Sequence, residues 1–479
     1  MRRPKALGES DHFIVLRDRE SRSQGEGGDN DTKPAKATRA GRCRTGIDET
    51  TSLRGIADKA RHDKAHRFGN LYGELNEALL KEAWRGLNKS AASGIDRVMA
   101  RDYEQELDAN LEDLVERLKG KRYCAKAVRR HYIPKVDGKQ RPLGIPVVED
   151  KLLQAGVAMI LEAIYEPDFL PVSFGYRPGI GARDAVQALG FNLQYGSFGY
   201  VVEADIQGFF SHLDHDGLKR MLRERIADES FIGLIGQWLK AGVLEPDGSF
   251  LYPAAGIPQG GVVSPILANI YLHHGLDLWF EEVVKPHCRG KALLIRYADD
   301  FVCAFQYQED AEAFYRVLPK RLARFGLEVA PEKTRLLRFS RFHPGMRRRF
   351  AFLGFEFYWS VDRQGERRLM KRTARKKLGR ALKEFSDWVR THRHLPTKAL
   401  FRQVAWKLRG HFNYFGLPGN SRSIMEFHAK VLATLLKWLK RRNRRHRMNG
   451  CRFYRLVELL RLPEPRIVLY SRTRSIVLA

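Results

Sequence analysis

The chain has 479 residues, with 85 Lys and Arg against 56 Asp and Glu, a net charge of +29 and a pI of about 10.0. That length allows two or three domains with real cores, and so large a cationic excess suits a polyanionic partner through phosphate neutralisation and counterion release. A membrane surface is the competing reading, but no run of about 18 apolar residues is present to span a bilayer.

Met1-Arg2-Arg3-Pro4 lacks the apolar core of a secretory signal. Cys43, Cys124, Cys288, Cys303 and Cys451 are widely spaced, odd in number and free of any Cys-x-x-Cys pair. Zinc ribbons and a disulfide framework are therefore not expected, and a reducing, cytoplasmic setting is.

Residues 1–63 are rich in Arg, Asp, Gly, Ser and Lys, with few large apolar residues after Phe13-Ile14-Val15-Leu16. Such a composition buries too little surface to offset ordering entropy, so a disordered basic tail is expected. Leu71, Leu75, Leu79 and Trp84 then recur at helical spacing over Gly69–Leu87, and Leu107, Leu111, Leu114 and Leu118 define a second helix from Arg101.

Tyr132-Ile133-Pro134-Lys135 and Gln140-Arg141-Pro142-Leu143-Gly144-Ile145-Pro146 flank Asp137-Gly138, a hairpin turn signal. Lys135 and Arg141 on a short, stiff hairpin could grip a triphosphate; an exposed basic hairpin is the blander alternative. A largely buried helix over Glu149–Glu166 follows, then the loop Ser173-Phe174-Gly175-Tyr176-Arg177-Pro178 and a helix over Gly181–Leu189.

Tyr200-Val201-Val202-Glu203-Ala204-Asp205-Ile206 reads as a strand with acidic residues towards its end. Gly256-Ile257-Pro258-Gln259-Gly260-Gly261 combines turn formers, through which backbone can approach a ligand, with one amide able to donate and accept. The Ile266–Phe280 segment continues as a helix, in which His273-His274 lacks a matching ligand cluster and reads as surface or packing.

The stretch that organises the rest is Leu293-Leu294-Ile295-Arg296-Tyr297-Ala298-Asp299-Asp300-Phe301-Val302-Cys303-Ala304-Phe305. Two apolar runs joined at a Tyr-Ala-Asp-Asp predict two strands and a tight turn. Adjacent carboxylates repel and raise each other's pKa unless a cation lies between them. Hard, oxygen-seeking Mg²⁺ is the ordinary occupant, and paired ions about 4 Å apart can hold attacking and leaving oxygens together. A solvated hairpin tip is the alternative. Asp205 is a third candidate ligand, but 299 − 205 = 94 residues separate it from the turn, so only folding could unite them.

Beyond a helix over Glu309–Phe325 and strands at Leu327–Val329 and Phe350–Tyr358, the composition shifts near Arg367 to three basic, amphipathic helices. Arg409-Gly410-His411-Phe412-Asn413-Tyr414-Phe415-Gly416 interleaves aromatics with cations, which suits stacking on RNA bases and phosphate contacts. Lys440-Arg441-Arg442-Asn443-Arg444-Arg445-His446-Arg447 extends the third helix as a basic end; a solvated face is the blander alternative, and against a net charge of +29 RNA or DNA binding is expected there.

Together these motifs resemble a group II intron-encoded reverse transcriptase and maturase over roughly residues 68–470. Ile133-Pro134-Lys135 to Pro146 is similar to the first finger motif, Asp205-Ile206-Gln207-Gly208-Phe209-Phe210 to the first catalytic motif, and Gly256-Ile257-Pro258-Gln259-Gly260 to the nucleotide and template loop. Tyr297-Ala298-Asp299-Asp300 resembles the catalytic turn, Phe352-Leu353-Gly354-Phe355 the end of the palm, and Leu408–Phe415 the thumb, or maturase, segment.

The resemblance implies an α+β right-hand polymerase, with fingers and a ferredoxin-like palm over 64–366 and a helical thumb/maturase domain over 367–479. It implies two Mg²⁺ ions held by Asp205, Asp299 and Asp300 near the Ile206 carbonyl. It places Lys135, Arg141, Phe210 and Gln259 at the incoming nucleotide, and Arg409, His411, Tyr414, Arg441, Arg442, Arg444 and Arg445 on RNA. The implied partners are the parent group II intron RNA, an RNA template, a DNA primer or target and dNTPs; the implied roles are RNA-directed DNA synthesis, RNA splicing and mobility. A maturase with an idle polymerase, or a domesticated reverse transcriptase in defence or repair, are the alternatives. Gln207 and Ser211 depart from the Lys and Asp common in the family without touching a metal ligand. No Cys-x-x-Cys or His-Asn-His cluster follows the thumb, so the endonuclease domain of some members is not expected.

Overall fold

The computed structural model describes residues 53–134, 140–343, 345, 348–442 and 448–467. The chain folds as two compact units that interleave in sequence. One comprises Met1–Asp168, Arg223–Pro253 and Pro258–Val263, and the other Phe169–Leu222, Ala254–Ile257 and Ser264–Ala479. Both mix helices with sheets, an α+β architecture. Among the described residues no helix is long and apolar enough to cross a membrane.

In the first unit the basic hairpin forms as expected, with Val128–Pro134 antiparallel to Gln140–Ile145 and Ile133 opposite Arg141. Its Asp137-Gly138 turn and Lys135 lie outside the described residues. Short strands Val243–Leu244 and Phe250–Leu251 extend the sheet beyond Val128–Pro134. The long helix Val148–Tyr165 is the unit's apolar pillar, burying Leu152, Leu153, Val157, Ile160, Leu161 and Ile164.

The tail expected to be disordered over residues 1–63 is instead helical at Leu53–His62, and residues 1–52 lie outside the described residues. The helix's orphan carbonyls find a partner from far along the chain. The buried Arg225 guanidinium donates to the carbonyls of Ala60, Asp63, Lys64 and His66, satisfying the helix end that local residues leave open. Nearby, the expected Gly69–Leu87 helix shortens to Glu77–Gly86, capped by Asn76, whose side chain accepts from Leu79 N. The Arg101–Leu118 helix divides into Ala100–Glu104 and Leu107–Lys119.

The second unit is built on a five-stranded sheet. Tyr200–Gln207 lies between Asp300–Phe305 on one side and, on the other, Arg335–Arg338 and Glu328–Val329. Ala292–Tyr297 completes it as the hairpin partner of Asp300–Phe305. Leu294, Val302, Cys303, Ala304 and Phe305 are wholly buried, which explains the near-continuous apolar runs in sequence.

Phe350–Tyr358 is not one strand. Leu353 and Gly354, at φ 49° and 80°, turn the chain sharply between Phe350–Phe352 and Phe355–Val361. Arg367–Thr373 is the third strand of this sheet, so the helical region begins at Arg375, eight residues after the compositional shift. A basic strand shares the composition of a basic helix, and composition alone could not tell them apart. Phe339, Phe350, Phe355, Phe357 and Trp359 form the aromatic core here.

The helical region has the three expected helices, Arg375–His392, Thr397–Phe415 and Ser421–Lys440, with a fourth at Gly450–Leu459. Val389, Leu400, Val404, Phe412, Val431 and Leu435 are among the residues that interlock as its core. The third helix stops at Lys440 instead of running into the basic end.

Candidate active site

Asp205 stands directly opposite Asp300 in the antiparallel register of Tyr200–Gln207 and Asp300–Phe305. Tyr297 pairs with Asp300 across the hairpin, leaving Ala298 and Asp299 as a two-residue turn. Ala298 has φ 55°, a left-handed conformation that such connections require and that Gly usually supplies. Folding thus unites residues from separate parts of the chain at one end of the sheet.

Asp300 stays exposed at the end of its strand, yet its carboxyl is pushed up to about 7, first by desolvation among its neighbours, then by the charges of Asp299 and Asp205 and by a hydrogen bond with Asp205. Asp205 also accepts from Lys333, whose Nζ lies 2.5 Å from Oδ2. That bond is the largest cause of the raised Lys333 pKa. Lys333 carried no signal in the sequence beyond its charge; it follows Ala330, whose amide donates to the Asp205 carbonyl over 2.8 Å. One residue pair earlier on the strand, Glu203 accepts from Arg335 Nε over 2.8 Å.

All three aspartates offer hard oxygen donors, and mutual repulsion with a shared proton is what a divalent cation would relieve. Among the described residues no three such side chains close into a preformed cage. The donor set fits a hard cation, with Lys333 standing as the resident counter-charge.

A second group of residues, which sequence reasoning missed, holds the turn from below. Arg296 is fully buried, one residue before Tyr297 in an otherwise apolar strand. Its guanidinium forms a bidentate pair with buried Asp277, Nε to Oδ1 at 2.7 Å and Nη2 to Oδ2 at 2.5 Å. It also donates to Ser173 Oγ (2.8 Å), Asn269 Oδ1 (3.1 Å) and the Ala298 carbonyl (3.2 Å). Asn269 Nδ2 in turn donates to the Gly175 carbonyl over 2.6 Å.

Asp277 comes from the expected Ile266–Phe280 helix, which is α-helical only over Ser264–Leu272 and widens into π turns at His273–Asp277 and Phe280–Val284. π turns are rare and cluster at functional sites. His273 packs edge-on against Phe169 at 5.7 Å, the packing role expected of it. An arginine inside an apolar run was the available clue, because a buried cation demands a buried partner.

Phe210 is buried, in edge contact with Phe209 at 5.3 Å. Its carbonyl accepts from Ile257 N over 2.7 Å, and Gly256, at φ 91°, lies so close that a Cβ would stand 2.8 Å from the Phe210 and Ser211 oxygens. Ile206 is buried in its strand opposite Val329.

In the first unit Arg141 and Gln259 are brought together, with Arg141 Nε donating to Gln259 Oε1 over 3.1 Å. The Gln259 backbone carbonyl accepts from Gly144 N over 2.7 Å, which ties the glycine-rich loop to the hairpin. Lys135 lies outside the described residues.

Two of the residues expected on RNA also make contacts within the protein. His411 stacks face to face on Phe427 at 3.5 Å, and burial pushes its imidazole down to about 4. Tyr414 donates its hydroxyl to the Leu353 carbonyl over 3.1 Å and stacks on Phe355 at 6.1 Å. Both rings are half-buried and contribute to the fold, while their neighbour Arg409 faces solvent. Arg441 lies over Trp438 at 5.3 Å and Arg442 Nη2 reaches the His394 carbonyl at 3.4 Å, both exposed. Arg444 and Arg445 lie outside the described residues.

A sheet end that gathers aspartates from a strand and a hairpin turn is a donor set suited to a hard cation. Residues 133–357 match the family of reverse transcriptases (RNA-dependent DNA polymerases). Protein YkfC of Escherichia coli (strain K12) is 31% identical over 60% of this chain and 80% of its own length. The group II intron-encoded protein LtrA of Lactococcus lactis subsp. cremoris is 40% identical over 39% of this chain and 30% of its own length. Nuclear intron maturase 4, mitochondrial, of Arabidopsis thaliana is 26% identical over 33% of this chain and 19% of its own length. The chain belongs to the reverse transcriptase family, in the company of group II intron-encoded proteins and intron maturases. It spans most of YkfC but less than a third of the intron-encoded relatives named here.

Proposed function

We propose that the chain is an RNA-directed DNA polymerase that also binds its parent group II intron RNA to assist splicing and mobility. The observation that carries the polymerase reading is the pairing of Asp205 with Asp300 across the sheet, with Asp299 next in the turn. A right-hand arrangement is the reading these elements favour: the basic hairpin within the fingers, the five-stranded sheet as palm, and the helices after Arg375 as thumb.

Asp205, Asp299 and Asp300, near the Ile206 carbonyl, would hold two Mg²⁺ ions, which when bound supply Lewis-acid stabilisation to attacking and leaving oxygens. Arg141, with Lys135, would grip the triphosphate of the incoming dNTP. Gln259, oriented by its bond to Arg141, would meet the nucleotide or template, and Phe210 would border the sugar.

The reaction is in-line attack of a primer 3′-hydroxyl on the α-phosphate: a new P–O bond forms as the bond to pyrophosphate breaks. No protein nucleophile is needed, and the chain contributes position and electrostatics. For it to do so Asp300 must give up its proton. The RNA template, DNA primer or target and intron RNA are polyanions, to which the +29 charge is complementary.

Primer extension on an RNA template with Mg²⁺ tests this reading, comparing the native chain with Asp299→Ala/Asp300→Ala. Synthesis that disappears in the double variant supports the polymerase and its metal site. A folded, RNA-binding native chain that extends nothing overturns it in favour of a binding-only maturase.

A further inference from the structure

The Thr397–Phe415 helix carries an unexplained aromatic. Its core-facing residues Leu400, Phe401, Val404, Ala405, Leu408 and Phe412 are buried, yet Trp406 is 58% exposed. A single exposed ring is ordinary on a protein surface; what sets this one apart is the charge arranged around it.

The face around it is chemically one-sided. The helix has Lys398, Arg402, Lys407 and Arg409 and not one Asp or Glu. Lys398, Arg402, Trp406 and Arg409 succeed one another at spacings of four, four and three, which places them along one stripe. Lys398, Arg402 and Arg409 are exposed and have no carboxylate partner among the described residues. Arg402 instead lies over the Trp406 ring at 5.5 Å. Elsewhere in this region cations pair along their helices, as Arg380 does with Glu384 and Lys430 with Glu426. Unpaired guanidiniums flanking an exposed indole match the two parts of a nucleotide, phosphate and base.

We propose that this stripe binds an unpaired stretch of RNA, one base stacking on Trp406 and the adjoining phosphates meeting Arg402 and Arg409. The inference rests on the RNA-binding reading above and names where one contact is made. It also gives an aromatic role to Trp406, which is more exposed than the half-buried His411 and Tyr414. An unpaired strand suits the stripe better than a duplex, because only splayed bases present a free ring face. Arg402 and Arg409 are seven residues apart, about 10 Å along the axis, so both can reach one short segment.

The test uses the full-length chain with a single-stranded 20-nucleotide RNA and a blunt RNA duplex of equal length as probes. Binding is followed by fluorescence anisotropy over a salt series, and circular dichroism with thermal unfolding checks the fold of each variant. Trp406→Ala is expected to weaken single-strand binding about tenfold, Trp406→Phe to restore most of it, and duplex binding to change little. Arg402→Gln and Arg409→Gln should each lower the salt slope by about one phosphate contact. A folded Trp406→Ala chain that binds the single strand as the native chain does overturns the proposal and leaves the RNA-binding reading standing. Equal loss on both probes overturns the stacking role. A native chain that binds neither probe overturns both.

Discussion

Lys333 Nζ lies 2.5 Å from Oδ2 of Asp205, the carboxylate that faces Asp300 across the sheet. An ammonium therefore stands against a group expected to ligate a cation, and the two positive partners compete. Replacing it with Lys333→Ala should let the chain bind Mg²⁺ roughly fivefold more tightly at low salt, the gain of about 1 kcal/mol expected of a solvent-exposed pair. Thermal-shift titration with Mg²⁺ in the absence of nucleotide reads this directly; unchanged affinity would mean that Lys333 does not compete.

Asp300 supplies a pH signature. Its pKa rises from 3.8 to about 7, chiefly through desolvation by the groups packed around the strand end. In the unfolded chain it ionises near its ordinary value, so between these limits the folded state binds the extra proton. The resulting stabilisation is fully present below about pH 3.8 and is lost as the pH climbs through about 7. Extension at subsaturating Mg²⁺ should thus rise through neutrality, with its midpoint moving to lower pH as Mg²⁺ increases. Asp300→Asn, which resembles the protonated acid, should unfold at a higher temperature than the native chain at pH 8 without metal, while losing synthesis. A pH-independent rate between 6 and 8 would count against Asp300 as a ligand.

The buried Arg296–Asp277 pair predicts a stability cycle. Arg296→Met leaves the buried Asp277 carboxyl with His273 Nδ1, 4.0 Å away, in place of its bidentate partner, at a cost of about 3–5 kcal/mol. Arg296→Met/Asp277→Leu removes both charges and should recover much of that loss in denaturant unfolding. Arg296→Lys keeps the charge but gives up the bidentate geometry and the tie to the Ala298 carbonyl. It should lower kcat more than primer–template affinity, and an equal fall in both would argue for general damage.

Gly175 gives a steric test of the same turn. A Cβ there would overlap Ala298 N and stand 3.1 Å from the Tyr297 carbonyl carbon. Gly175→Ala should therefore displace the Ala298–Asp299 turn and reduce kcat at least tenfold, the loss expected of misplaced catalytic groups. Retained kcat would show that the turn adapts without consequence.

The aspartate hairpin was legible because two signals coincide in it: fully apolar strands and a carboxylate pair that no strand interior tolerates. Asp205 was legible for the same reason, as an acid at the end of an apolar strand. Arg296 and Asp277 were not paired in advance, since 296 − 277 = 19 residues separate them and the π turn at His273–Asp277 has no sequence signature. Around His411 and Tyr414 composition records that aromatics and cations alternate, not which side of the helix each occupies. Counting from buried Leu408 and Phe412 would have turned attention to Trp406. The Leu53–His62 helix stayed hidden because Arg225, which accepts the task of closing its end, lies more than 160 residues away.

The chain passes between its two units after Asp168, Leu222, Pro253, Ile257 and Val263. Any single cut from Asp168 to Ser264, the crossings included, divides at least one unit's own residues between the fragments. Truncation therefore cannot yield the first unit intact and alone. On the ribosome the order is equally constrained: the first unit lacks its Pro258–Val263 segment until long after Phe169–Leu222 of the second has emerged. The aspartates of the hairpin turn come later still, so the carboxylate pair can be assembled only after the first unit has all its parts.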